Sequence, residues 1–310
     1  MNSAPANRLV NLLELPLLMG TRTARRNGWT GWHALGVYLL VVTGFFLTRE
    51  AWADIFAIAW TDPEASHIFL VPVIAVWLVY VRRERLRYCL PRGQWIGPAL
   101  IAIGWAVSSF GYYHRAQSLW HGGAVLIVIG CLLTVVGTDV LFKFLPAFAV
   151  LVFLVPVPGR IRLAIALPLQ EVLARMTWTT FDLAGVAVER MGNTLTINGQ
   201  TVQVAEACNG LRMVFALGLV SYAVAFGTPL KGYARFLILA LSPVSALACN
   251  FVRMVPMVWL FGHASQSVAL TFHDLAGWVM LIVAFLLLVG VIRLLRWAML
   301  PVHRYTLAYE

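Results

Sequence analysis

The sequence predicts an all-α polytopic membrane protein of about eight transmembrane helices, with an extracytoplasmic amphipathic helix and a short β-hairpin before the sixth span. Three observations predict it. The 310 residues are 61% hydrophobic and only 12% charged, about half the charge fraction of a soluble domain. Apolar runs of about 17–25 residues recur, each long enough to cross a hydrocarbon core of about 30 Å. Most of the 23 basic residues gather between alternate runs, as they do in cytoplasmic loops.

The elements follow in order. Arg22, Arg25 and Arg26 precede a first span from Trp32 to Leu47. A second, His67 to Val81, ends at the basic run Arg82-Arg83-Glu84-Arg85-Leu86-Arg87. Spans three and four cover Ile96 to Tyr113 and Leu119 to Gly137. The fifth, Val140 to Val155, stops at Pro156-Val157-Pro158-Gly159. Arg162 to Leu183 then mixes Arg162, Glu171, Arg175 and Asp182 with apolar residues. That charge load argues against a lipid-facing span and for a helix lying on the outer surface. Thr194-Leu195-Thr196-Ile197 and Gln200-Thr201-Val202-Gln203-Val204 flank Asn198-Gly199, the signature of a two-residue hairpin. Spans six to eight run Leu211 to Phe226, Phe236 to Trp259 and His273 to Val291. The basic loops place both termini in the cytoplasm. The chain is read as one domain, 1–310, in the cell membrane. Met1 to Gly20 lacks a small-residue cleavage site after a compact apolar core, so no cleaved signal is expected.

The net charge of +10 belongs to this loop bias. It does not point to nucleic acid, because no basic-aromatic stripe or binding motif accompanies it. Membrane lipids are the expected surroundings. The four cysteines, Cys89, Cys131, Cys208 and Cys249, suit neither a zinc site nor a disulfide framework. No metal or organic cofactor is expected. Cys131 and Cys249 lie in apolar helices and read as buried small hydrophobes, and Cys89 follows the basic run. Cys208 alone sits where a polar hairpin meets a helix start. There, unpaired N–H groups and partial positive charge favour a thiolate. The N–H groups of Asn209 and Gly210 can hold a developing oxyanion.

Arg253 lies 17 residues past Phe236, about 25 Å along a helix. That depth is near the outer boundary, with Asn250 three positions earlier on the same face. A charge within a span faces the protein interior or snorkels to headgroups. His273 begins span eight at the same outer boundary, and His263, in the preceding loop, is a rival base. Glu206 can brace Arg212 or Arg253, tune the thiol, or support the hairpin. His67 begins span two on that side and is a candidate lining residue.

Several pieces in order carry a resemblance. They are Ser66-His67 with Pro72; Arg82-Arg83-Glu84-Arg85-Leu86; Pro156-Val157-Pro158; Pro168-Leu169-Gln170; and Gly192-Asn193. Then come Ala207-Cys208-Asn209-Gly210-Leu211-Arg212, Asn250-Phe251-Val252-Arg253 and His273-Asp274-Leu275-Ala276-Gly277. Over about residues 60–295 the chain resembles the exosortase/archaeosortase family of membrane cysteine transpeptidases. The resemblance implies Cys208 as nucleophile with Arg253 and His273 as partners, and favours His273 over His263. Asn209, Gly210, Arg212, Asn250, Glu206 and His67 are the supporting or substrate-binding set. The family usually carries serine where this chain has Asn209. The implied substrates are exported proteins with a C-terminal sorting signal: a short motif, a transmembrane helix and a basic tail. A lipid or amine would accept the acyl group, and any accessory protein would be a separate chain. Two rival readings remain: a non-enzymatic exopolysaccharide transport or assembly component, and an inactive sorting-signal binder.

Overall fold

A computed structural model describes residues 28–91, 95–203 and 210–297. In chain order come α1 (Gly31–Leu47), α2 (Arg49–Thr61), a 3-10 turn (Ser66–Phe69) that leads into α3 (Leu70–Val81), and a second 3-10 turn (Arg83–Tyr88). They are followed by α4 (Ile96–Tyr113), α5 (Gln117–Lys143), α6 (Leu145–Ala149), a third 3-10 turn (Val150–Leu154) and α7 (Gly159–Leu183). Strands β1 (Val188–Met191), β2 (Thr194–Ile197) and β3 (Gln200–Gln203) precede α8 (Leu211–Gly227), α9 (Gly232–His263) and α10 (Gln266–Trp297). This is a helical, multi-pass membrane architecture. Exposed apolar side chains such as Val76, Trp105, Val252 and Ile282 suit a surface that meets lipid tails.

The expected eight spans are supported in part. Among the described residues, four helices are long and apolar enough to cross a membrane: α4, α5, α9 and the Gln266–Leu287 part of α10. The count reaches six if each of two bent pairs is one span. The pairs are α1 with α2, bent by 76°, and Leu145–Leu154 with α7, bent by 88°. α3 with its leading turn and α8 are shorter apolar helices. The expected break between spans four and five is a kink inside α5. Gly137, at φ 76° and ψ 176°, leaves the helical region there and separates two helical stretches.

α4 and α5 are packed backbone to backbone. A Cβ on Gly111 would lie 2.3 Å from the Trp120 nitrogen, one on Gly104 2.9 Å from the Gly123 oxygen, and one on Gly97 2.4 Å from the Thr134 nitrogen. The pairings run antiparallel, and the α4 glycines recur every seventh residue. Small residues let membrane helices approach this closely, where no hydrophobic force drives them together.

A second core forms where the sheet meets the bundle. Leu195, Ile197 and Val202 pack on Leu173 and Phe181 of α7 and on Met254, Met257 and Val258 of α9. The strands are antiparallel in the order β1-β2-β3, with Val188 opposite Ile197 and Ile197 opposite Gln200. Asn198 (φ 50°) and Gly199 (φ 75°) connect β2 to β3, the positive φ values a two-residue type I′ connection requires. On α7, Ala166, Gln170, Leu173, Ala174, Thr177 and Phe181 form the buried side, while Glu171 and Arg175 pair at 3.0 Å on the exposed side. Buried Gln170 accepts a hydrogen bond from Asn193 Nδ2 at 3.0 Å. That bond ties α7 to the turn between β1 and β2.

Candidate active site

Gly210 caps the start of α8 in the left-handed region at φ 81°. Two constraints select glycine here. An L side chain rarely adopts that φ, and a Cβ would lie 3.0 Å from Asn250 Nδ2. The start of α8 is therefore seated directly against α9. Asn250 is fully buried and Arg253 is 5% exposed, so the guanidinium faces the protein rather than the headgroups. One helical turn separates the two residues, which places them on one face.

Arg253 reaches the next helix as well. Its Nη1 lies 3.3 Å from the position a Cβ on Gly277 would take. Gly277 is one turn beyond His273 on α10, on the same side. Contacts among described residues thus join the α8 cap, the Asn250–Arg253 turn of α9 and the His273–Gly277 turn of α10. Cys208, Asn209 and Glu206 lie outside the described residues. Arg212, in the first turn of α8, is exposed.

His273 does not begin its helix, contrary to expectation. α10 starts at Gln266, which puts His273 about 10 Å in along the axis. The Ser265 carbonyl accepts from the Ala269 N–H at 3.1 Å, and Thr271 Oγ1 donates to the Ser267 carbonyl at 2.9 Å. Hydroxyl residues in this first stretch are satisfied within the helix, so a hydropathy reading starts the span too late. Arg253 is set back by a similar depth from the end of α9, about 15 Å.

His263 has other commitments. Its ring stacks on Trp259 with centroids 3.8 Å apart. Nδ1 lies 3.0 Å from the Trp259 carbonyl, and Asn198 Nδ2 lies 3.1 Å from Nε2. One neutral tautomer satisfies both contacts, with Nδ1 donating and Nε2 accepting. His263 therefore holds the β2–β3 turn to the end of α9.

His67 is buried, and its ring stacks on Phe215 of α8 at 4.9 Å between centroids. Its Nδ1 lies 2.8 Å from the Glu64 carbonyl. Two polar clusters beside it were not anticipated from the sequence. Arg162, at the start of α7, bonds Asp62 Oδ2 and lies 3.5 Å from Glu64 Oε2. Asp54 of α2 accepts from Gln117 Nε2 at 2.7 Å and contacts His121 Nε2 at 2.9 Å. The charge of Arg162 is visible as a misfit in an apolar segment, but its partner Asp62 lies 100 residues away.

Cys89, Cys131 and Cys249 are buried free thiols. Cys89 donates to the Arg85 carbonyl at 3.3 Å, and burial pushes its thiol pKa up. Among the described residues no group of His, Cys, Asp and Glu side chains could hold a metal ion.

No curated protein and no solved structure gives a significant match to the chain. The family model described as transmembrane exosortase matches residues 59–290. That match covers most of the 310 residues and includes every contact that joins α8, α9 and α10 at Gly210, Asn250, Arg253 and Gly277. The chain is a multi-pass membrane protein that belongs to the transmembrane exosortase family.

Proposed function

We propose that this protein is a membrane-embedded cysteine transpeptidase that cleaves C-terminal sorting signals of exported proteins through an acyl-enzyme on Cys208. Family membership supports the reaction class. The observation that carries the reading is the seating of the α8 start against α9, with Arg253 in turn against α10 one turn from His273. Chain connectivity keeps the Cys208 Cα within about 7 Å of that of Gly210.

The chemistry follows from the residue types. The Cys208 thiolate attacks the scissile carbonyl, and electrons move onto its oxygen. Arg253 stabilises that oxyanion with a charged donor in a dry setting. Collapse breaks the C–N bond, and His273 gives a proton to the leaving amine. An amine or lipid nucleophile then takes the acyl group from Cys208, and water in its place gives hydrolysis. Asn250 holds the Gly210 turn, and Asn209 offers an amide donor where the family usually has serine. In the proposed orientation the site opens to the outer face, and the substrate helix lies in the bilayer beside α8 and α10.

The test is to trap the intermediate with a tagged sorting peptide. The wild-type chain should form a Cys208-linked adduct that hydroxylamine releases. Cys208→Ala should insert normally and form none. Undiminished cleavage by Cys208→Ala would falsify the nucleophile assignment.

A further inference from the structure

A cavity of about 230 Å³ opens beside the Ser66–Phe69 turn, walled by Asp62, Glu64, His67, Gln117, Arg162 and Phe215. Its lining carries two carboxylates against one guanidinium. Arg162 is shared between them, bonding Asp62 Oδ2 and lying 3.5 Å from Glu64 Oε2. Asp62 is held in place by its other oxygen, which accepts the Glu64 N–H at 2.9 Å. Behind the Gln117 wall stands a third carboxylate, Asp54, on Gln117 and His121. The carboxylates on this lining disfavour phosphate and carboxylate ligands and favour a cation.

His67 adds direction. A carbonyl only accepts, so the 2.8 Å contact with the Glu64 oxygen puts the proton on Nδ1. In the neutral ring Nε2 is then an acceptor. Stacking on Phe215 fixes the ring plane. Phe215 also ties the cavity to the α8 start, since it lies five residues past Gly210, about 7.5 Å along the axis.

We propose that this cavity binds the primary ammonium group of the acyl acceptor, with Asp62 and Glu64 supplying charge and the His67 Nε2 accepting an N–H. The identification of the ligand as the acceptor rests on the acyl-enzyme reading above. The cation site itself does not. Arg162 competes with the ligand for the same carboxylates, so it sets the affinity from the opposite direction.

The experiment measures binding of glycylglycinamide and N-acetylglycylglycinamide to the full-length Cys208→Ala chain in nanodiscs of phosphatidylcholine, which carries neither net charge nor a primary amine, by ligand-observed magnetic resonance. No acyl-enzyme is needed, so failure here is distinct from failure of the nucleophile assignment. The free amine should bind saturably, and its acetylated counterpart at least about tenfold more weakly, the loss of one charge contact. Asp62→Asn should weaken amine binding by about tenfold, whereas Arg162→Gln should tighten it. A purely structural ion pair predicts the same sign for both variants. Phosphatidylethanolamine in the disc that displaces the soluble amine assigns a lipid amine, and failure to displace it assigns a peptide amine; both outcomes uphold the site. Equal binding of the amine and its acetylated form by the Cys208→Ala chain, which needs neither cavity variant to fold, overturns it.

Discussion

Gly210 joins backbone conformation to chemistry in one residue. Its φ of 81° and its contact with Asn250 mean that Gly210→Ala pays twice, through strain of about 1–3 kcal/mol and through displacement of the amide. Thermal unfolding in detergent should show the loss, and acyl-enzyme formation should fall with it. Arg253→Lys should lose at least about tenfold in acylation. Lysine keeps the charge but not the planar fork that reaches an oxyanion and a neighbour together. Turnover at the wild-type rate would make Arg253 a structural charge. Thiol labelling separates the four cysteines. Cys89, Cys131 and Cys249 are buried, and burial holds the Cys89 thiol protonated at neutral pH, so a maleimide pulse at pH 7 should modify Cys208 alone. Equal labelling of the Cys208→Ala chain would show that no thiolate is poised there. His263→Ala should keep activity and lose stability, because Nε2 of His263 holds Asn198 of the β2–β3 turn while Nδ1 anchors the ring on the Trp259 carbonyl.

At the scale of elements, the α4–α5 seam and the α9–α10 contact do different work. The seam is fixed by backbone proximity. A side chain on Gly123 would begin 2.4 Å from the Ser108 nitrogen, so Gly123→Val should cost about 3 kcal/mol or more, read as a lowered melting temperature in detergent. The α9–α10 contact sets one buried charge over Gly277 beside the packing of Ala284 and Met280 with Ala246 and Cys249. Gly277→Val would drive a side chain into the Arg253 guanidinium, 3.3 Å away at the Cβ. Normal insertion with severely reduced acyl-enzyme is the expected result, and wild-type acylation would detach Arg253 from the chemistry. The glycine spacing of the seam is present in the sequence, but it becomes meaningful only once two helices are known to touch. α10 starts earlier than hydropathy places it for a related reason. Hydroxyl groups that look polar in a hydropathy scan are satisfied by the preceding turn of the helix.

Across the whole molecule, contacts sort into two ends. At one end lie the Gly210–Asn250 contact, the His67–Phe215 stack, the Arg162 ion pairs and the Asn198–His263 contact. At the other, Arg82 donates to the Phe226 carbonyl at 2.6 Å and Tyr222 donates to the Pro146 carbonyl at 2.9 Å. The basic residues Arg83, Arg85, Arg87 and Lys143 belong to this second end, which the charge bias assigns to the cytoplasm. In intact cells and on the Cys208→Ala background, Ser265→Cys should react with an impermeant thiol reagent added outside, and Arg83→Cys should react only after lysis. The reverse pattern would invert the topology and place the site on the wrong side for exported substrates.

The sequence by itself determined the membrane class, the exosortase resemblance and the helix that carries each of Asn250, Arg253 and His273. Hydropathy, charge bias and helical spacing are local properties, and each is complete within a few turns of chain. Tertiary structure decided what those residues meet. It turned Arg253 inward onto Gly277, set Asn250 against the Gly210 cap, engaged His263 with Asn198, and brought Arg162 to Asp62 and Glu64. The physical reason is separation along the chain. These partners are joined by packing across several helices, and no spacing rule within one helix specifies which buried charge will find which neighbour.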